Sequence, residues 1–157
     1  MTDTLLRRAD LLLTALPAWV RALALRIDEV GAGTAWLCLT PSAESLLDKG
    51  TVAAQAIYAL ADAAMRVAVD TVSEGRSSTA AGATASYLAP PPTDADLIAE
   101  ARVLKAGSML VVGEVTVMPD GEERPVAHFV FTFAWTSAKP AARKLPPERR
   151  ASRRRRS

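Results

Sequence analysis

The sequence predicts an α+β domain in which one long, alanine-rich helix is wrapped by a curled antiparallel sheet of about five to six strands. The run of alanine and other apolar residues at 51–73 is nearly apolar on all sides, which is typical of a helix buried by the rest of the protein. Several strand-like runs are separated by turn signals. No strand–helix–strand alternation indicates a parallel sheet.

The N-terminal residues predict a short amphipathic helix. Residues 4–16 carry leucines with charged residues between them, and Pro17 marks the end of this helix. We expect Trp19 and Val20 to pack back onto the domain. Residues 1–20 are therefore assigned to an N-terminal helix that packs on the main domain.

The main domain, residues 21–137, begins with a hairpin and continues through the long helix into the rest of the sheet. The hairpin turn is Gly31-Ala32-Gly33, and Glu74-Gly75 ends the long helix. A loop or short helix occupies residues 42–50. Pro119-Asp120-Gly121 marks a further hairpin turn. The predicted strands are residues 25–30, 34–40, 77–88, 97–105, 109–118 and 125–135.

Polar residues interrupt the long helix along one stripe, at spacings of three or four residues: Gln55, Tyr58, Asp62, Arg66 and Asp70. Asp62 has two interpretations. It is a catalytic carboxylate in a cleft, or it forms an ion pair with Arg66 on a solvated helix face. The apolar surroundings of the helix favour the cleft.

The net charge of +2 hides an asymmetry between the folded part and the C-terminus. From Lys139 to Ser157 there are nine Lys or Arg residues and one acid, so this segment carries +8 and the rest of the chain −6. We predict that residues 138–157 form a disordered basic tail. Such a tail attracts polyanions weakly, but it has no aromatic residues for stacking on bases.

Cysteine and histidine counts exclude several kinds of site. The chain has one cysteine, Cys38, and one histidine, His128, so an internal disulfide and a Cys/His zinc site within one chain are excluded. We expect no metal, Cys38 as a small buried apolar residue, and His128 as a strand histidine outside the catalytic machinery. No apolar run spans a bilayer and no signal peptide is evident, which predicts a cytoplasmic protein.

Four stretches together resemble the hotdog-fold acyl-CoA thioesterases, in particular the phenylacetyl-CoA-type branch, over residues 17–136. They are LRIDEVGAGTAWLCLTPSAESLLDKGTV at 25–52, LADAA at 60–64, SYLAP at 86–90 and LIAEARVLKAGSMLVVGEVTV at 97–117. The resemblance implies the hotdog fold and hydrolysis of an acyl-CoA or acyl-carrier thioester. It also implies a homodimer or dimer of dimers with active sites between protomers, and no cofactor apart from coenzyme A as part of the substrate.

The resemblance also implies roles for individual residues. Asp62 takes the position of the catalytic carboxylate, as general base or nucleophile, and Ala54 that of the backbone N–H that holds the thioester carbonyl oxygen. A helix start suits that role because its N–H groups are unpaired and lie at the positive end of the helix dipole. Gly107 and Ser108 lie at a turn near which the family often contacts CoA phosphates, and the alternative, which the residues alone favour, is an ordinary hairpin turn.

The sequence departs from the family pattern at three points. Ala53-Ala54-Gln55 stands where the family usually has His-Gly-Gly. An asparagine is often found at the position of Leu47, next to Asp48, and a hydroxyl near Ala80, next to Thr79. We therefore include Asp48 and Thr79 as substrate-binding candidates.

Gln55 and Tyr58 are further candidates that orient the acyl group or water, or else lie at a subunit interface. Because the family's supporting polar groups are replaced, an alternative to hydrolysis is a non-hydrolytic acyl-thioester-binding protein. A third hypothesis is a nucleic-acid-associated protein that uses the basic tail.

Overall fold

The computed structural model describes residues 2–48 and 50–136, which contain three helices and six strands. The predicted tail at 138–157 lies outside these residues. None of the described helices is long and apolar enough to cross a membrane. The helices are α1 (Thr2–Thr14), α2 (Ala18–Arg21) and α3 (Ala54–Thr71), and the strands are β1 (Arg26–Gly31), β2 (Thr34–Leu39), β3 (Ser77–Tyr87), β4 (Leu97–Ala106), β5 (Leu110–Pro119) and β6 (Ala127–Thr136).

All six strands belong to one antiparallel sheet with the order β1-β2-β4-β5-β6-β3. Three pairs, β1–β2, β4–β5 and β5–β6, join neighbours along the chain, whereas β2–β4 and β3–β6 join strands that are not neighbours. The sheet curls around α3, which is the hotdog fold and confirms the predicted α+β architecture.

The concave face of the sheet packs against α3. Side chains alternate along each strand, so Phe129, Phe131 and Phe133 all point inward and are fully buried. Each such side chain contributes about 1.5–3 kcal/mol through its burial. A Cβ on Gly113 would meet the end of the Met65 side chain of α3 and would lie 2.9 Å from the backbone oxygen of Arg102, so the Met65 side chain packs directly on the backbone of β5 here.

The N-terminal helix α1 packs against β1 and α3. Ala9 is buried in this contact, and Arg8 Nη2 lies 2.9 Å from Asp70 Oδ2 of α3. After the short connection at 15–17, Val20 of α2 is buried, as predicted, but Trp19 is 57% exposed, so the prediction for Trp19 is wrong. Adjacent residues of a helix point about 100° apart, and one helical turn buries only one of these two side chains.

The long helix is shorter than predicted at both ends. The prediction was 51–73, whereas α3 starts at Ala54 because Val52 forms a β-bridge with Leu46 and Ala53 has extended backbone. The helix ends at Thr71, whose Oγ1 accepts a hydrogen bond of 2.7 Å from the Gly33 N–H in the β1–β2 turn.

Strand β3 forms one edge of the sheet, and nearly all its residues are exposed on both faces. Its sequence, SSTAAGATASY, consists of small residues except for Tyr87. One long side of this strand carries backbone N–H and C=O groups that no other strand in the described chain pairs with. An open edge of this length is a site for pairing with another strand.

Candidate active site

The polar stripe of α3 lies along the part of the helix that the sheet leaves open. Gln55 and Tyr58 are exposed, and Asp62 and Arg66 are partly buried. The spacing of three or four residues places these side chains on one helix face, while the alanines between them are buried in the core. Asp70, at the end of the stripe, is occupied by the contact with Arg8.

The start of α3 offers free hydrogen-bond donors. Ala53 is the N-cap residue and makes no side-chain cap hydrogen bond; its own N–H donates to Ser45 O at 2.8 Å. The N–H groups of Ala54 and Gln55 have no acceptor among the described residues. Because the helix dipole also places positive potential here, these donors suit an oxygen that develops negative charge.

A cleft of about 380 Å³ adjoins the start of α3 and is lined mainly by apolar residues, among them Val52, Ile57, Tyr87, Leu88 and Pro90. Tyr87 Oη donates a hydrogen bond of 3.3 Å to Ala54 O. Burial, with a smaller effect of Tyr58, raises the pKa of Tyr87, which favours the neutral, donating hydroxyl. This bond fixes the C-terminal end of β3 beside the start of the helix.

Asp62 lies two turns further along α3 and forms the ion pair that its spacing predicts. Arg66 Nε lies 2.6 Å from Asp62 Oδ2, and the Arg66 guanidinium carbon lies 5.4 Å from the centroid of the Phe133 ring. Asp62 Oδ1 has no hydrogen-bond partner among the described residues. Because every buried side-chain oxygen in this part of the chain has a partner, Oδ1 is not buried and is open to water. The ion pair with Arg66 is therefore present and leaves one carboxylate oxygen of Asp62 open, while the catalytic role of Asp62 stays a prediction.

The carboxylate of Asp62 borders a second cleft of about 380 Å³, which we call the linker cleft. It lies between α3 and the segment that connects α1 to α2, and its lining includes Leu16, Pro17, Trp19, Tyr58, Asp62 and Arg66. Tyr58 stands between this cleft and the aromatic core, with its ring edge-on to Phe129 at 5.7 Å and to Phe131 at 5.8 Å.

The remaining predicted site residues lie apart from this stripe. Asp48 is exposed in the loop before α3, and Thr79 is exposed near the start of β3. Gly107 and Ser108 form the β4–β5 turn, where Gly107 N donates to Leu110 O at 2.8 Å and Gly107 O accepts from Trp135 Nε1 at 3.0 Å.

Strand β3 separates the candidates into two groups within one chain. Tyr87, at one end, contacts Ala54, while Ser78, near the other end, pairs with Trp135, which contacts Gly107. Thr79 lies eight residues from Tyr87, about 26 Å along an extended strand. One chain therefore does not bring Thr79, Gly107 and Ser108 to the start of its own α3.

A model of the thioesterase superfamily matches residues 49–126, which include the start of α3, Asp62 and strands β3 to β5. The chain belongs to the thioesterase superfamily. No curated protein matches it.

Solved structures of similar proteins share its fold. PaaI from the phenylacetic acid degradation operon of Escherichia coli has a TM-score of 0.76 and 21% identity, over 87% of this chain and 96% of that one. A variant of the phenylacetic acid degradation protein PaaI from Thermus thermophilus has a TM-score of 0.67 and 26% identity, over 75% and 98%. A hypothetical thioesterase from Streptococcus pneumoniae, solved with coenzyme A, has a TM-score of 0.66 and 20% identity, over 71% and 85%.

Cys38 and His128 of this superfamily member lie on the outer face of the sheet. Cys38 is buried as predicted, and burial together with the hydrogen bond to Asp96 raises the pKa of its thiol to about 12. His128 Nε2 lies 3.2 Å from Glu114 Oε2, and the other carboxylate oxygen of Glu114, Oε1, is paired with Arg102. In the part of the chain that the structure describes, no three His, Cys, Asp or Glu side chains cluster to hold a metal ion.

Two aromatic residues that the sequence did not indicate as site residues border the clefts. Tyr87 contacts the start of α3, and Trp19 lines the linker cleft. The signal for Tyr87 was its position just before Leu88-Ala89-Pro90, where the resemblance placed the end of a strand. Trp19 carried no such signal, because an aromatic residue after a proline more often indicates packing in the core.

Proposed function

We propose that this chain hydrolyses acyl-CoA thioesters, with Asp62 as the catalytic carboxylate. The observation that carries the proposal is the open Oδ1 of Asp62 beside an apolar cleft, on a helix whose first N–H groups are free. Membership of the thioesterase superfamily supports the reaction class, and the coenzyme A bound to the structurally similar pneumococcal protein supports CoA as the carrier. For a CoA substrate, we propose the cytoplasm as the location.

In the proposed mechanism, the Ala54 N–H donates a hydrogen bond to the thioester carbonyl oxygen. Asp62 takes a proton from a water molecule as that water attacks the carbonyl carbon, and the N–H stabilises the negative charge on the oxygen. The C–S bond then breaks, and the CoA sulfur leaves as a thiol with the proton returned by Asp62. The products are a carboxylic acid and CoA, and the scheme uses water and no metal.

The proposed site takes its two groups from two protomers. Ala54 and Asp62 of one helix are eight residues apart, about 12 Å along the helix axis. One thioester group needs a donor and a base within about 3–3.5 Å of its reacting atoms. A two-fold axis beside the open β3 edge would set two α3 helices antiparallel, so that each Asp62 approaches the partner's Ala54.

The same two-fold pairing brings the second group of candidates into the site. If β3 pairs antiparallel with its copy, the Thr79 end of one strand lies beside the Tyr87 end of the other. Thr79, Gly107 and Ser108 then come near the partner's helix start, where the CoA moiety of the substrate would lie. We therefore propose a homodimer as the functional unit, alone or paired into a dimer of dimers.

The decisive experiment compares thiol release from short, long and aromatic acyl-CoAs by wild type, Asp62→Asn and Asp70→Asn. Asp70→Asn is the matched control, because Asp70 lies on the same helix stripe and is also paired with an arginine, but it does not border the linker cleft. The asparagine keeps an oxygen that accepts a hydrogen bond from Arg8, so α1 stays attached to α3. We expect Asp62→Asn to lower kcat/KM by about 10²-fold or more and Asp70→Asn to leave it near wild type. Equal hydrolysis by all three proteins refutes the role of Asp62.

The second candidate function is binding of an acyl thioester without hydrolysis. The observation that favours it is the uncapped Ala53, an apolar residue at the position where the family usually carries histidine. This function predicts tight binding of acyl-CoA with no thiol release by wild type for any member of the panel.

A further inference from the structure

The N-terminal segment forms one wall of the linker cleft. Leu16, Pro17 and Trp19 face Tyr58, Asp62 and Arg66 of α3 across this cleft. The α1 helix that carries this wall is fixed to the domain, because Arg8 Nη2 lies 2.9 Å from Asp70 Oδ2. The wall therefore follows a helix that is anchored to α3, and it faces Asp62 across the linker cleft.

We infer that the linker cleft binds the acyl group of the thioester, and that Leu16 limits the length of the acyl chain it accepts. The inference rests on the proposed role of Asp62. With the carbonyl carbon held near Asp62, the adjacent linker cleft is open to one of its two substituents. That substituent is either the acyl group or the pantetheine arm of CoA.

The chemistry of the cleft wall favours the acyl group. The N-terminal wall is apolar apart from the indole N–H of Trp19. On the helix side, Arg66 is engaged by Asp62 and lies over Phe133. A pantetheine arm carries two amides, which lose hydrogen bonds to water when they are buried against such a wall. An alkyl or aromatic acyl group loses none and gains apolar contact.

Leu16 and Val20 divide the linker cleft from a neighbouring, mainly apolar cleft. This neighbouring cleft, of about 420 Å³, lies on the far side of these two residues, and its lining includes Leu13 and Leu25. Since Leu16 and Val20 line both spaces, they form the partition between them. We expect truncation of Leu16 to open this partition and to lengthen the space that an acyl chain can occupy.

Trp19 is the largest apolar residue in the lining of the linker cleft. It is 57% exposed in the described chain, so it offers apolar surface that an acyl group would cover. Each methylene buried there raises affinity about fourfold. Acyl groups larger than acetyl are therefore the expected substrates.

The test measures equilibrium binding of non-hydrolysable CoA thioethers with acetyl-, hexanoyl- and dodecanoyl-sized chains. The proteins are full-length wild type, Trp19→Ala, Leu16→Ala and the control Leu11→Ala, in which an exposed leucine of α1 outside the linker cleft is removed. We expect Trp19→Ala to weaken the hexanoyl analogue about tenfold and the acetyl-sized one hardly at all. Leu16→Ala should selectively strengthen the dodecanoyl analogue, and Leu11→Ala should match wild type.

The outcomes separate this inference from the proposed hydrolysis. Wild type that binds the analogues with this chain-length pattern but releases no thiol from acyl-CoA refutes hydrolysis and supports the acyl cleft. Wild type that hydrolyses acyl-CoA, with the same chain-length profile in all variants, refutes the acyl cleft alone. Loss of the oligomer in Trp19→Ala, with that profile unchanged, assigns the cleft to a second copy of the chain and also overturns the inference.

Discussion

At Cys38 the surroundings suppress the reactive form of a thiol. Burial and the hydrogen bond to Asp96 Oδ2, at 3.4 Å, raise its pKa to about 12. The thiolate is the reactive species, so we expect Ellman's reagent to label the folded protein about 10³-fold more slowly at neutral pH than the protein unfolded in urea. The rate of absorbance change measures this directly. Rapid labelling of the folded protein contradicts the described surroundings of Cys38.

The ion pairs of Glu114 make the unfolding free energy depend on pH. Hydrogen bonds from Arg102 and then His128 lower its pKa below the ordinary glutamate value of 4.5. A lowered folded-state pKa stabilises the fold above the ordinary pKa, and this stabilisation is lost as pH falls through the folded-state value. We expect Glu114→Gln to lose at most about 1 kcal/mol of unfolding free energy at neutral pH, since exposed ion pairs are screened, and to match wild type in acid.

Urea unfolding of both proteins across this pH range tests the prediction. Glu100→Gln is the matched control, because Glu100 lies on the same outer sheet face and forms no ion pair within residues 2–48 and 50–136. A difference between Glu114→Gln and wild type that grows as pH falls would reverse the predicted sign.

Among the helices, α1 is joined to α3 by an ion pair in addition to the apolar packing of its leucines. The Arg8 guanidinium lies 2.9 Å from Asp70 Oδ2 and also within hydrogen-bond distance of the Ser73 hydroxyl. We expect Arg8→Ala to lower the unfolding free energy by about 1–2 kcal/mol and to speed hydrogen exchange in α1. Arg7→Ala is the control, since the Arg7–Asp3 pair is highly exposed and its loss should change little. Equal effects of the two substitutions contradict the importance of this contact.

Local patterns predicted the type of nearly every element and placed most ends within a few residues. Alternation put Phe129, Phe131 and Phe133 on one buried face, and the glycine turns fixed the hairpins. The late start of α3 was not predictable, because the β-bridge between Leu46 and Val52 that delays it is a tertiary contact. For the same reason, the exposure of Trp19 was not predicted.

The order of the strands in the sheet was harder to predict from the sequence than the strands themselves. Strand β3 joins β6 across the chain, yet its small residues show no alternation, since both faces of this strand are exposed. Alternation arises only where one face is buried and the other is not. Without that asymmetry, the sequence of β3 indicated a strand but not its neighbour or its position at the edge.

For the whole molecule, residue types identified the candidates but not their arrangement. The resemblance indicated Asp62, Ala54, Thr79 and the 107–108 turn as site residues. In the structure, Asp62 lies two turns of α3 from Ala54, and Thr79 and the turn lie at the end of β3 away from Ala54. Sequence patterns along one chain carry no information about a two-fold axis. The division of the candidates between two ends of the molecule emerged only when α3 and β3 were placed together.

A complementation experiment tests whether the proposed site is shared between protomers. Ala54→Pro removes only the proposed donor, because proline fits the first position of a helix and Ala53 already has the extended backbone that precedes proline. We expect homodimers of Asp62→Asn and of Ala54→Pro to be nearly inactive. A mixed dimer would hold one site with both defects and one intact site.

Random mixing makes half of the dimers mixed, and half of the sites in those dimers are intact. Co-expression of the two variants should therefore restore about a quarter of the wild-type kcat. The two chains carry different affinity tags, so the mixed dimer can be isolated and should reach about half of wild type. If each chain holds its own complete site, every site in the mixed dimer keeps one defect and activity stays at the level of the homodimers. That result would place Ala54 and Asp62 in the site of one protomer. It would refute the inference that their separation of about 12 Å, eight residues of helix, requires a shared site.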